Sequence, residues 1–254
     1  MHLDLFNSPT ELAVTLVAVI LVGLSKGGLG GMSMLGVPLM ALVMSPVTAA
    51  AVLLPVLVVM DVVSVIQWRK WVDWRIMRRI LPGSLLGIFI GWLTAEVVSD
   101  AVVRLIVGVV SVLFVARAVL APRARIEGVP GDRPLLAHVC GTAAGYTSFV
   151  AHAGAPPLQI YMMPLQLDPK IFTGTTVMFF AVTNALKLIP YTMLGEFDAQ
   201  NLGRAAAMFP IAMLSTWAGA WAVRRMRAEI FYPLTYVSVA LVAIKLIWDG
   251  LAGL

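Results

Sequence analysis

One cysteine, Cys140, stands in 254 residues, which rules out an internal disulfide and argues against an iron-sulfur or multi-thiolate zinc centre. Charge is also scarce. Asp, Glu, Lys and Arg together make up 12% of the chain against 60% hydrophobic residues, and the mean hydropathy is +0.93. That balance excludes a soluble domain and requires helices that span a membrane. Period-two alternation is missing, which argues against a transmembrane β-barrel. No Gly-Lys-Ser/Thr ending of a phosphate-binding loop occurs, so nucleotide binding by that device is excluded. The net charge of +5 lies in short stretches between apolar runs. With no basic domain to carry a groove, nucleic acid is not expected as a partner. Met1 to Phe6 shows neither a basic stretch nor a small-residue cleavage pattern, so a removable signal peptide is not expected.

What remains is apolar sequence. Runs near Leu12 to Gly23, Val47 to Ile66, Ile80 to Ala95, Val102 to Leu120, Thr173 to Leu194, Ala205 to Val223 and Phe231 to Trp248 approach the roughly 20 residues a spanning helix needs. Stretches near Met32 to Met44 and Ala155 to Leu165 are shorter. Gly27-Gly28-Leu29-Gly30-Gly31 precedes the first, and Ala153-Gly154-Ala155-Pro156-Pro157 opens the second. Both are poor material for continuous helix. Broken backbone at that depth survives only when buried in protein or lining a cavity.

The two halves resemble each other. Gly36-Val37-Pro38-Leu39 followed by an apolar stretch around Asp61 returns as Ala155-Pro156-Pro157-Leu158 followed by one around Asn184, and Asp61 aligns with Asn184 when Pro46 is set against Pro169. Their basic flanks exchange sides. Arg69, Lys70, Arg75, Arg78 and Arg79 follow the Asp61 stretch, whereas Glu196 and Asp198 follow the Asn184 stretch and Arg224, Arg225 and Arg227 come one crossing later. Basic loops stay in the cytoplasm, so the copies should enter the membrane in opposite senses. The expected fold is an all-α polytopic membrane protein, an inverted repeat of two helical bundles. Each bundle has a broken or re-entrant helix hairpin plus three transmembrane helices, and both termini lie on the outer, periplasmic side. Residues 1–121 form the first repeat, 122–134 a cytoplasmic linker rich in Pro, Gly and Arg, and 135–254 the second. Trp68, Trp71 and Trp74 border the basic loop, as expected for an interfacial belt. Substrate sites in inverted repeats lie where the copies meet.

Polar residues inside apolar runs mark the candidate site. Within Ser25-Lys26-Gly27-Gly28, a lysine costs about 2.5 to 3.5 kcal/mol at membrane depth and should face an interior cavity. There it can meet an anion, with the Gly27 and Gly28 amides supplying further donors. Snorkelling of Lys26 and close helix packing at the glycines is the plain alternative. In the second copy Thr147, Ser148 and His152 offer hydroxyl donors and a group that titrates near neutral pH. Thr176, Thr183, Asn184 and Lys187, spaced by 7, 8 and 11 residues from the first, share one helical face. Asp61 has to carry a proton or pair with Lys26 or Lys187. It joins His152 as a proton-coupling candidate, against the alternative of a purely structural ion pair. Lys245 and Asp249, four apart, form an interfacial pair. Ser148 with His152 raises acyl-transfer chemistry, but nearness in sequence does not provide a base-activated nucleophile and an oxyanion hole. His138, Cys140 and His152 lack zinc-ligand spacing. No metal and no cofactor is expected.

Gly27 to Gly31 leading to Val37-Pro38, then Val72-Asp73-Trp74-Arg75, Pro82-Gly83 and Gly87, resembles the sulfite exporter TauE/SafE family of membrane permeases over roughly residues 12–251. Thr147 to Gly154 with Pro156-Pro157 resembles a subgroup of that family and departs from its commoner glycine-rich second motif. The resemblance implies a secondary transporter in a bacterial cytoplasmic membrane, exporting sulfite or an organosulfonate such as sulfoacetate by alternating access, and no enzymatic activity. Its partners would be a small anion, protons and the lipid bilayer, with a homodimer left open. An anion channel, a non-transporting assembly subunit and an intramembrane hydrolase stay open as alternatives.

Overall fold

The computed structural model describes residues 5–29, 36–44, 46–94, 98–120, 133–151, 153–193 and 199–253. All of its regular elements are helical. They run α1 (Pro9–Leu24), a π-helical turn (Ser25–Leu29), α2 (Gly36–Met40), α3 (Pro46–Trp68), a 3₁₀ turn (Arg69–Trp71), α4 (Trp74–Thr94) and α5 (Asp100–Leu120). Then follow α6 (Pro134–Ala151), α7 (Ala155–Met162), a 3₁₀ turn (Met163–Leu165), α8 (Pro169–Met193), α9 (Ala199–Arg225) and α10 (Ala228–Ala252). Residues 122–132 of the expected linker, the acidic Glu196 and Asp198, and Gly30 and Gly31 lie outside the described residues.

Five helical stretches among the described residues are long and apolar enough to cross a membrane: Pro9–Leu29, Val52–Trp71, Trp74–Thr94, Gln200–Arg225 and Ala228–Ala252. A sixth, Ala101–Ala116 in α5, is shorter. The protein is a multi-pass helical membrane protein.

Both interruptions read from glycine and proline are present. Gly28 ends the first helix with φ 131, a left-handed conformation closed to residues with a Cβ. After α6 the regular helix is interrupted at Ala153 and Gly154, and it restarts as the short, largely buried α7.

The chain forms two compact units, Met1–Lys70 with Phe180–Met226 and Trp71–Phe179 with Arg227–Leu254. Each unit therefore takes residues from before and after the linker. In the first, α1 and α3 pack on α9 around Val19, Val22, Val52, Val56, Met60, Met208 and Ala212. In the second, α4 packs on α6 and α5 on α10.

Lipid offers no hydrophobic drive to press helices together, so packing relies on small residues and close backbones. A Cβ at Gly27 would lie 2.4 Å from Thr216 O on α9, and one at Gly219 2.4 Å from Leu24 O on α1. The second unit uses the same device, with a Cβ at Gly87 falling 2.0 Å from Thr142 O on α6 and one at Gly145 2.2 Å from Ser84 O on α4. Leu85, Leu86, Phe89 and Leu93 of α4 stay exposed, as a lipid-facing stripe requires.

Trp71 and Trp74 are exposed, in keeping with an interfacial belt. Trp68 is not part of it. Its indole is fully buried at 0% exposure, because its N–H is used inside the protein.

Candidate functional site

Asp61, Ser64 and Trp68 are spaced i, i+3 and i+7 along α3 and so share one face. All three grip the same short segment. Lys26 Nζ donates to Asp61 Oδ1 at 2.6 Å. Ser64 Oγ donates to Lys26 O at 2.9 Å, and Trp68 Nε1 donates to Gly27 O at 2.9 Å. The cause lies in the break at Gly28. Carbonyls just before an interrupted helix lose their regular partners, and in lipid each unsatisfied backbone group costs several kcal/mol. Side chains of α3 replace the missing donors and, with them, fix where Lys26 points.

From α8 comes the other half of the cluster. Asn184 Nδ2 donates to Asp61 Oδ2 at 2.7 Å, so each carboxylate oxygen holds a partner. Lys187, one turn further and 2% exposed, experiences repulsion from Lys26 and attraction from Asp61. Lys26 holds the carboxylate and Lys187 is buried within electrostatic reach of both, inside an apolar bundle where burying charge is costly unless it is paired. Thr183, buried on the same helix, turns its hydroxyl onto Phe180 O at 3.1 Å, while Thr176 reaches Met162 Sδ at 3.6 Å.

Of the residues singled out from sequence, Lys26, Asp61, Asn184 and Lys187 are brought together in the first unit. Ser25 is buried beside them. Gly27 presents a satisfied carbonyl to α3 and its Cα to α9, and Gly28 forms the break itself. Thr147 and Ser148 belong to the second unit. Thr147 Oγ1 lies within hydrogen-bonding distance of Ala143 O at 2.7 Å and Ala153 O at 3.0 Å, and Ala153 N donates to Thr147 O at 2.9 Å. That hydroxyl ties the end of α6 to the chain beyond it. Ser148 is buried, and His152 lies outside the described residues. Lys245 and Asp249 form the expected ion pair on α10.

Sequence reasoning left Ser64 and Trp68 out of the site. Their shared spacing with Asp61 was the available signal, but a tryptophan beside a basic loop reads first as a lipid anchor. Only the burial of the ring distinguishes the two.

Interrupted helices with charged residues at the break, in a polytopic membrane protein, are an arrangement that membrane transporters use. The chain belongs to the sulfite exporter TauE/SafE family, whose model matches residues 15–246. Neither the curated proteins nor the solved structures compared with the chain yield a match. Membership makes the protein a membrane transporter by family.

Proposed function

We propose that this protein is a secondary transporter that exports a small sulfur oxyanion, sulfite or an organosulfonate such as sulfoacetate, across the bacterial cytoplasmic membrane, and that it catalyses no chemical reaction. The observation that carries this reading is the gathering of two basic side chains, the half-buried Lys26 and the buried Lys187, near the carboxylate of Asp61. An oxyanion entering the cluster would relieve the repulsion between the lysines and accept charge-assisted hydrogen bonds from them. It would compete with Asp61 for Lys26.

That competition supplies a route to coupling. A buried carboxylate that loses its cation favours the protonated form, so anion capture by Lys26 and proton uptake by Asp61 become linked. The amides of Gly27 and Gly28 are further donors beside Lys26, and His152, Thr147 and Ser148 remain candidates by sequence alone. The basic α3–α4 turn faces the cytoplasm and both termini face outward, following the distribution of Lys and Arg. The copies work as an inverted repeat through alternating access.

Radiolabelled sulfite and sulfoacetate flux in proteoliposomes, with and without a pH gradient, tests the reading. Saturable flux with counterflow is expected for one of the two anions, and a channel would conduct without counterflow. Lys26→Met should abolish flux while the protein still folds. Full flux in that variant would remove Lys26 from the site.

A further inference from the structure

The two arginines that end α9 are adjacent in sequence and differ in surroundings. Arg225 is exposed and lays its guanidinium over the exposed Trp221 ring, 4.1 Å from the centroid. This is how an interfacial arginine anchors a helix end. Arg224 is half-buried. Its guanidinium lies 5.8 Å from the centroid of the fully buried Trp68 ring, and its Nη1 donates to Gln67 Oε1. An arginine turned inward to stabilise the fold ordinarily meets a carboxylate. Among the described residues, the ion pairs involve other cations. Arg224 meets a neutral amide oxygen and an aromatic face.

Trp68 is also the residue whose Nε1 donates to Gly27 O, next in sequence to Lys26. A single indole therefore separates the Arg224 guanidinium from the segment that carries the lysine. Within cation–π range of the ring and tethered at one nitrogen by Gln67, the planar guanidinium keeps further N–H donors in a fork. That geometry matches two oxygens of one oxyanion.

We propose that Arg224 is a second anion-binding station, one step along the first unit from the Lys26–Asp61–Lys187 cluster. It receives a sulfur oxyanion or sulfonate on its way to or from that cluster. Gln67 and Trp68 hold it in place and have no role in recognition themselves. This station rests on the transport reading above.

Flux measured separately from each face of oriented proteoliposomes, with sulfite and sulfoacetate as probes, tests it. A docking charge outside the central site acts on encounter from its own side. Arg224→Gln should raise KM for anion presented at one face by roughly tenfold, with KM at the opposite face and the maximal rate near wild type. Arg224→Lys, which keeps the charge but loses the fork, should fall between. A merely structural Arg224 would lower the maximal rate from both faces alike, and that result, or unchanged KM at both faces, overturns the proposal. Should Arg224→Gln fail to fold, Gln67→Leu frees the tether and must show the same one-sided rise, or the proposal fails. Wild-type protein without saturable flux from either face would defeat the transport reading and this station with it. Saturable wild-type flux with symmetric changes in the variants defeats the station alone.

Discussion

Asn184 donates a 2.7 Å hydrogen bond to the carboxylate of Asp61 across a separation of 123 residues. These are the positions that fall opposite each other when Pro46 is aligned with Pro169. The contact joins α3 and α8 within the first unit, bridging two stretches that resemble each other in sequence. Here α3 supplies the charge and α8 a neutral amide, with Lys26 on the other carboxylate oxygen.

Removing one member of that cluster should cost more than removing two. Asp61→Asn leaves Lys26 buried without its counter-charge, and loss of one partner of a buried pair costs about 3 to 5 kcal/mol. The double variant Lys26→Met/Asp61→Asn should unfold at a higher temperature than Asp61→Asn alone in detergent. A double variant whose loss equals the sum of the two single losses would show that the residues do not interact.

Trp68→Phe keeps the ring under Arg224 but deletes the donor to Gly27 O. An unsatisfied buried carbonyl costs about 1 to 3 kcal/mol, and the displaced segment carries Lys26. Both the unfolding midpoint and the maximal rate should drop, from either face of the membrane. Trp74→Phe, at an exposed position, should leave both unchanged.

Thr147→Val separates a backbone tie from a ligand-binding hydroxyl. Its hydroxyl faces Ala143 O and Ala153 O, so its loss should lower stability by about 1 kcal/mol with little change in KM. A large rise in KM would instead make Thr147 a direct ligand of the anion.

Close helix contacts predict a graded response to added methyl groups. Gly87→Ala drives a Cβ to 2.0 Å from Thr142 O, and Gly27→Ala places one 2.4 Å from Thr216 O. Both contacts are with backbone that cannot step aside, and overpacking of this kind costs about 1 to 3 kcal/mol. Gly203→Ala meets only the end of the Leu5 side chain at 3.0 Å, which can rotate away. Thermal unfolding of the three variants should rank Gly203→Ala above the other two.

Much of the polar cluster in the first unit was legible in the sequence. Lys26 among glycines and the spacing of Asn184 and Lys187 on one helical face follow from the high cost of polar groups at membrane depth. A charge tolerated there has to face something polar. The choice among the options for Asp61 was not legible, because sequence offers both lysines at plausible positions. Trp68 was misassigned for a related reason, since a tryptophan near a helix end satisfies the description of an anchor whether or not its ring is exposed.

The sequence alone determined that the chain is helical and membrane-embedded, where its helices break and which residues are too polar to face lipid. These are local consequences of composition, of glycine and proline geometry, and of the cost of desolvating charge. Only the tertiary structure decided that α3 would meet the broken turn with Asp61, Ser64 and Trp68 together, that Thr147 would spend its hydroxyl on backbone, and that Arg224 would turn inward while Arg225 turns out. Pairing across tens to hundreds of residues depends on which helix faces come into contact, and small residues that let backbones approach mark such faces without naming their partners.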